Sequence, residues 1–243
     1  MYKGKGNFFR VKDSKQVINE IKYFKDKYDI EFVYFADPDF LVKSRKVFDE
    51  FIKGYKDIKL PFWAEARADV VTEYKIKALD SIGCFGFAIG VESGNEFIRN
   101  KILQKGVSNK QIEIAYNILK NSNIKIYTNI MIGLPFETRE QIFDSINFMR
   151  KLGVKHPVVN IFNPYRGSAL WQTCVDEGFV SKDKLAGDYR GDYVLDMPQI
   201  SKEEVLGLQR TFLLYVNFPK SEWNRIKSAE TDDEVFEELR EEY

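Results

Sequence analysis

The sequence has 243 residues, of which 44% are hydrophobic and 15% aromatic, and this is enough apolar material for one substantial core. Its 37 basic and 37 acidic residues cancel, so the charge does not favour bulk nucleic acid as a partner. The two cysteines, Cys84 and Cys174, are too few for a disulfide scaffold or a cysteine-rich metal site, and we expect both in the core.

No apolar run in the sequence approaches the ~20 residues that a membrane-spanning helix needs. The N-terminal stretch also lacks the apolar region of a signal peptide. We therefore expect a cytoplasmic protein with no membrane partner.

Five short apolar runs have the character of strands, at 32–36, 60–66, from Cys84, 124–132 and 158–162. The first is apolar throughout, which predicts a strand buried on both faces. Amphipathic helices are predicted around and between them, over 14–28, 43–55 and 72–82 and from residues 108 and 138. This alternation is typical of βαβ units and a parallel sheet. Five strands are too few for a closed eight-stranded barrel, so a partial barrel and a doubly wound sheet are both compatible with the pattern.

The strand and helix alternation ends near Gly178. Residues 181–198 are charged, contain glycine and are predicted to be irregular, and a capping box at Ser201 then begins an amphipathic helix. A smaller helix over 223–230 and a solvated acidic helix over 232–243 complete the chain. We therefore expect one part at 1–178 and a second part at 179–243, made of a linker and C-terminal helices.

Polar residues follow each predicted strand, where parallel α/β proteins keep their ligand sites. Carboxylates, an arginine and amides in this position suit a zwitterionic ligand that carries hydroxyl groups. Taken singly, each residue could instead be a helix cap, a salt bridge or a turn. In chain order they are Asp37 and Asp39, Glu65 and Arg67, Glu92 and Ser93, Asn129 and Gly133, and Asn163 and Tyr165.

Sequence motifs of the common hydrolases, P-loop proteins, zinc proteases and dinucleotide-binding proteins do not occur. The single histidine, His156, has no second histidine with which to form a relay or a metal site, and we expect it to be structural. No residue is predicted to be catalytic or to bind a metal. Any chemistry is therefore expected to come from a cofactor.

Several segments resemble, in order and spacing, the radical S-adenosylmethionine superfamily, over roughly residues 8–178. The stretch from Gly207 through Phe218-Pro219 to Trp223 is similar to the C-terminal region of its cobalamin-binding branch. The segments that carry the main resemblance are Phe35–Phe40, Ala66–Asp69, Gly90–Gly94, Lys105-Gly106, Met131–Thr138 and Asn163–Ser168.

The resemblance implies an α/β fold, a partial parallel (β/α) barrel with a helical C-terminal extension. It also implies a 4Fe-4S cluster that, with an external reductant, cleaves S-adenosylmethionine to a 5′-deoxyadenosyl radical, for hydrogen abstraction or methyl transfer on an unknown substrate. It places Asp37 near the methionine amino group, and Glu65 and Arg67 beneath the methionine and the substrate. Glu92 and Ser93 would reach the ribose or carboxylate side. The adenine would lie against Asn129, Met131 and Gly133, and Asn163 and Tyr165 would complete the cofactor site.

One departure from the family pattern concerns the cluster. The family holds it with Cys-x3-Cys-x2-Cys after the first strand, and this sequence has no such triplet. We therefore expect the chain to be the C-terminal part of a larger protein, to lack the first strand and cluster loop, and to have no radical activity alone. A cobalamin domain could precede it in the complete protein.

Two other readings compete with this one. The chain could be a cluster-less relative that acts as a binding or interaction module. It could also be an ordinary α/β lyase or hydrolase that uses Asp37, Glu65 or Glu92 as an acid or base.

Overall fold

A computed structural model describes residues 10–188 and 191–243. Helices and strands alternate along most of the chain, and short helical turns lie at Ala68–Val70, Ile98–Ile102 and Lys220–Glu222. The main elements are α1 (Ser14–Tyr28), β1 (Val33–Tyr34), α2 (Arg45–Tyr55), β2 (Phe62–Ala66), α3 (Glu73–Ser81), β3 (Cys84–Glu92), α4 (Asn109–Lys120), β4 (Lys125–Ile132), α5 (Arg139–Leu152), β5 (Val158–Ile161), α6 (Ala169–Asp176), α7 (Lys202–Asn217), α8 (Trp223–Ala229) and α9 (Asp233–Glu242).

The strands form one sheet in the order of the chain, from β1 to β5. β1 pairs with β2, β2 with β3 and β4 with β5, each in parallel. Parallel neighbours require a crossover, and a helix lies between each of these pairs along the chain. The predicted α/β class with a parallel sheet is confirmed.

The first strand is shorter and more exposed than predicted. It covers Val33–Tyr34 instead of 32–36, and the Tyr34 side chain is 58% exposed. Within the described part of the chain, β1 is the terminal strand of the sheet and pairs only with β2. The prediction of burial on both faces is therefore wrong, because an apolar run alone does not distinguish a central strand from a terminal one.

Two helices, α5 and α7, start at the capping signals predicted for them. Thr138 and Ser201 each form a complete capping box, at the starts of α5 and α7, and Gly153 ends α5 with a left-handed φ of 68°. Helix α6 was not predicted, although the Ser168 side chain accepts a hydrogen bond from the backbone N–H of Trp171 at its start. Eight residues give too little periodicity to reveal a helix by pattern alone.

The chain divides into two compact units. The first comprises the residues up to Gly90 together with Lys110–Tyr127. Its core contains a cluster of aromatic rings whose centroids lie 4.9–6.4 Å apart, formed by Phe35, Phe40, Phe51, Tyr55 and Phe62. These rings join β1 and β2 to α2.

The second unit comprises Val91–Asn109 and Thr128–Tyr243. Within it α5 packs against α7, and α7 also contacts α8 and β5. The boundary predicted between residues 178 and 179 stays a prediction. Among the described residues, no helix is long and apolar enough to cross a membrane.

The turn that follows β3 lies very close to α5 in the second unit. Gly94 donates its backbone N–H to the Ser145 hydroxyl at 2.8 Å. A Cβ atom on Gly94 would lie 2.6 Å from the Ser145 Cα and 2.8 Å from the Asp144 carbonyl oxygen. Both are backbone atoms, so a methyl group can be accommodated only by moving the helix.

We expect Gly94→Ala to lower the free energy of unfolding by about 1–3 kcal/mol, the usual range for overpacking. Urea unfolding followed by circular dichroism measures this. Gly191→Ala is the matched control, because its added Cβ meets no atom of the described residues within 4 Å, and we expect a change within about 0.5 kcal/mol. Equal stability of the two variants would contradict the close approach.

Candidate functional site

The first unit contributes the acidic turn that follows β1. Asp37 forms an ion pair with Lys43, at 2.6 Å, and its other carboxylate oxygen accepts the backbone N–H of Asp39 at 3.2 Å. One oxygen of Asp39 is buried and has no hydrogen-bond partner among the described residues. Burial raises the pKa of Asp39, and the nearby Arg67 opposes this shift. The turn therefore offers an acceptor that is partly removed from water and open to a donor.

A cavity of about 410 Å³ adjoins this turn in the first unit. Asp37 and Asp39 line it together with Lys43 and Arg10, so both charge signs are present. Aromatic rings of the unit's core, including Phe35 and Phe51, form its apolar wall. Its chemistry suits a small zwitterionic or polar ligand.

Glu65 and Arg67 lie at the end of β2, and both have partners in the chain. Glu65 accepts a hydrogen bond from the Tyr34 hydroxyl. Arg67 binds Asp69 through two bonds of 3.0 Å, and this pairing raises the pKa of its guanidinium. The charge of Arg67 is thus matched by a carboxylate two residues away.

The second unit begins with the end of β3, where Glu92 is held in an unusual backbone conformation. Its φ is +66°, in the left-handed region that residues other than glycine rarely adopt. Its carboxylate pairs with Lys105 at 2.7 Å, and the two side chains are only 24% and 15% exposed. An acid and a base thus meet at a strand end in a partly desolvated position, where charge interactions are stronger than in water.

Ser93 is fully buried, unlike its neighbour Glu92. Its hydroxyl lies 3.3 Å from the Ser145 hydroxyl and accepts the backbone N–H of Asn95 at 3.2 Å. Its side chain therefore braces the turn against α5.

The ends of β4 and β5 are joined to one loop of the second unit. Gly133 has φ of +73°, and a Cβ there would lie 2.7 Å from the Tyr193 ring. Asn163 is buried, accepts the backbone N–H of Gly187 at 2.9 Å and donates to the Asp192 carbonyl at 3.3 Å. Part of the predicted irregular segment, at Gly187, Asp192 and Tyr193, is thus fixed over these two strand ends.

The remaining predicted residues differ in exposure. Asn129 and Met131 lie on β4 with half-buried side chains, while Tyr165, in the loop after β5, is 61% exposed. The two β4 residues are two positions apart on one strand, so their side chains share a face of the sheet.

Glu137, in the loop before α5, is a buried acid that no sequence pattern singled out as a site residue. It is fully buried, and one oxygen accepts the backbone N–H of Leu134 at 3.2 Å. Its other oxygen and the buried Tyr193 hydroxyl have no hydrogen-bond partner among the described residues. Burial raises the pKa of Glu137 to about 8, and backbone donors at Leu134 and Gly133 oppose the shift.

Both cysteines are buried and free, as predicted. Burial raises the pKa of Cys84 to about 12 and that of Cys174 to about 11, so neither is a thiolate at neutral pH. Residues 10–188 and 191–243 contain no cluster of potential metal ligands. The cysteines of this chain therefore do not fit the ligation of an iron–sulfur cluster.

Comparisons with known proteins agree on one family. Residues 2–149 match the family model described as the Radical SAM superfamily. An uncharacterized methyltransferase of Pyrococcus horikoshii is 24% identical over 214 residues, covering 88% of this chain and 46% of that protein.

Two solved structures share the fold. The cobalamin-dependent S-adenosylmethionine radical enzyme OxsB, with aqua-cobalamin bound, aligns with a TM-score of 0.59 and 13% identity over 93% of this chain and 42% of that one. The radical S-adenosylmethionine methyltransferase TsrM from Kitasatospora setae, with cobalamin and a 4Fe-4S cluster bound, aligns with a TM-score of 0.58 and 12% identity over 96% and 56%. The chain thus spans about half the length of the relatives it matches, and the expected partial-barrel fold is confirmed.

The burial of Glu137 predicts a distinct pH dependence of stability. Above its ordinary pKa of 4.5 the unfolded chain loses this proton, whereas the folded chain keeps it up to about pH 8. The unfolded state therefore binds fewer protons, and stability falls as pH rises through this window.

We expect Glu137→Gln to remove this fall, which is on the order of a few kcal/mol. Urea unfolding between pH 5 and pH 8 measures it, with the exposed Glu50→Gln as control. Parallel stability curves for the Glu137→Gln variant and the original chain would show that Glu137 ionises normally.

Proposed function

The chain belongs to the Radical SAM superfamily, and on this premise we propose that it binds S-adenosylmethionine at the carboxyl ends of its strands as part of a radical methyltransferase. The observation that carries the proposal is the Glu92–Lys105 pair at the end of β3. It sets one acidic and one basic group side by side in a partly desolvated position. S-adenosylmethionine carries an ammonium group, a carboxylate and a ribose diol, which need such partners.

In this proposal Glu92 and Lys105 exchange their mutual bond for bonds to the ligand. The Glu92 carboxylate accepts from the ribose hydroxyls or the ammonium group, and Lys105 donates to the ligand carboxylate. Ser93, with its buried hydroxyl on Ser145, supports the turn without touching the ligand.

The first unit offers further acceptors of the same kind. The unpartnered oxygen of Asp39 supports an ammonium site in the turn that contains Asp37. Glu65, which accepts from Tyr34, and Arg67, which binds Asp69, would contribute further contacts to the ligand. A carboxylate accepts up to about four hydrogen bonds, so one chain partner does not exhaust it.

For the adenine we propose the ends of β4 and β5. Asn129 offers an amide that both donates and accepts, and Met131 offers a polarisable thioether that packs well on an aromatic ring. Gly133 would back the adenine with its backbone, although the Tyr193 ring fills the space of its missing side chain, and Asn163 and Tyr165 would complete this side of the site. The protein would thereby bind and orient the ligand and exclude water from it.

When bound, S-adenosylmethionine supplies the transferable methyl and adenosyl groups. The family uses a 4Fe-4S cluster together with S-adenosylmethionine, and the two buried cysteines of this chain do not fit the ligation of such a cluster. We assign its thiolates to polypeptide outside these 243 residues. Methyl transfer is supported by the methyltransferase name of the Pyrococcus relative and by the cobalamin in the two structural neighbours. We propose a small molecule as the methyl acceptor and an external reductant for the cluster. Cobalamin would be held by polypeptide other than these 243 residues.

Titration calorimetry with S-adenosylmethionine tests the binding proposal. We expect Glu92→Gln and Lys105→Gln each to weaken binding about tenfold or more, since a hydrogen bond to a charged group is worth about 1.5–3 kcal/mol. Glu50→Gln and Lys46→Gln, on the exposed face of α2, are the charge-matched controls and should bind normally. Unchanged binding in both site variants would rule out this pair as the ligand contact.

Anaerobic reconstitution with iron and sulfide tests the cluster assignment. We expect the 243-residue chain to show no stable cluster absorption and no cleavage of S-adenosylmethionine. A Cys84→Ser/Cys174→Ser double variant gives the background from non-specific iron. A cluster that forms in the original chain and is lost in the double variant would overturn the assignment.

A further inference from the structure

Arg99 is a fully buried cation in the second unit. Its guanidinium donates to the carbonyl of Val107 at 2.7 Å, to the carbonyl of Ser93 at 2.5 Å and to the side-chain oxygen of Asn109 at 2.7 Å. The nearest carboxylate oxygen, on the half-exposed Glu96, is 3.6 Å away. Burying this charge is tolerable because each of the three guanidinium nitrogens donates to a neutral oxygen, with the Glu96 carboxylate as an additional charged partner.

The three acceptors belong to two separate segments of the chain, one at Ser93 and one at Val107 and Asn109. The Ser93 carbonyl lies in the turn that presents Glu92, and the Val107 carbonyl lies in the loop that presents Lys105. Asn109 begins α4, and its side-chain amide also donates to the Gly94 carbonyl at 3.2 Å. One side chain therefore ties together the two segments that carry the opposite charges.

The backbone of Arg99 adds a further link. Arg99 lies in the π-helical turn Ile98–Ile102, and its carbonyl accepts the backbone N–H of Lys105 at 3.1 Å. The backbone of Lys105 is thus hydrogen-bonded directly to the backbone of Arg99. Asn100 holds the same loop separately, by two bonds of 3.0 Å to the backbone of Val107.

Glu92 needs such a restraint. Its left-handed backbone is a conformation that the chain keeps only where its surroundings hold it. The Ser93 carbonyl, on the next residue, is bound by Arg99, and the following N–H of Gly94 is bound by Ser145. Both groups belong to the peptide bond between Ser93 and Gly94, so the backbone that directly follows Glu92 is held in place.

We infer that Arg99 is a positioning residue. It acts through the Glu92–Lys105 pair, because it holds the two segments that carry these side chains in fixed relative positions, and it does not contact the ligand. The inference deepens the proposed function and rests on it for the identity of the ligand. Arg99→Lys keeps the charge but loses the fork that reaches three acceptors at once. Arg99→Lys should therefore abolish the energetic coupling between the Glu92 and Lys105 side chains.

A double-mutant cycle in urea unfolding measures this coupling directly. Glu92→Gln, Lys105→Gln and their combination are each made in the original chain and in an Arg99→Lys background. We expect the two substitutions to be non-additive in the original chain and additive within error in the background. Asn100→Ala is the matched control, because it weakens the same loop but leaves the guanidinium in place, and the coupling should persist.

A merely structural Arg99 would lower stability and leave the Glu92–Lys105 coupling intact, which would overturn the inference. If Arg99→Lys does not fold, Asn109→Ala removes one acceptor and should reduce the coupling. An unchanged coupling in Asn109→Ala would then count against the role.

Binding of S-adenosylmethionine gives the second readout. Arg99→Lys should weaken binding several-fold in the original chain and have no further effect once Glu92 and Lys105 are both substituted. If Arg99→Lys weakened binding further in the chain that already carries both substitutions, the positioning role of Arg99 would be contradicted. If the original chain binds no S-adenosylmethionine, the proposed function fails, while the unfolding cycle still decides whether Arg99 positions the pair.

Discussion

The close approach of the β3 turn to α5 is the constraint on which the rest of the second unit depends. Gly94 leaves no space for a side chain there, and Ser145 satisfies its N–H. On the other side of the turn, Arg99 binds the Ser93 carbonyl. The turn is therefore clamped between a helix and a buried cation, and this fixes where the carboxylate of Glu92 is presented.

Helix α5 is in turn held by the C-terminal helices of the same unit. Arg139, at its start, makes two bonds of 2.5 and 2.9 Å to the Glu230 carboxylate. Arg150, near its end, donates to three carbonyls at the end of α7, from Tyr215, Val216 and Phe218. These are partly buried, multiple contacts, which are stronger than single surface ion pairs. The C-terminal extension therefore braces the strand-end turn through α5.

The sequence predicted what depends on local pattern and missed what depends on loop closure. The helices that begin after Thr138 and Ser201 follow from capping boxes, and both form as predicted. The polar residues at the strand ends follow from the βαβ alternation. The bond between Glu92 and Lys105 does not, because the π-helical turn between them determines it and no spacing rule announces such a turn. Nor does position in sequence distinguish the fully buried Ser93 from its partly exposed neighbour Glu92.

Three of the charged residues at the strand ends already have charged partners within the chain, and in the proposed site this would determine what a ligand must offer. Asp37 is paired with Lys43, Arg67 with Asp69 and Glu92 with Lys105. A ligand that presents one charge would leave the partner of the displaced group unpaired in a partly desolvated place, which is unfavourable. A zwitterion replaces both halves of a pair at once. In the proposed site, internal pairing would thus lower the affinity for any ligand, and it would do so most for singly charged ones, which favours a zwitterion.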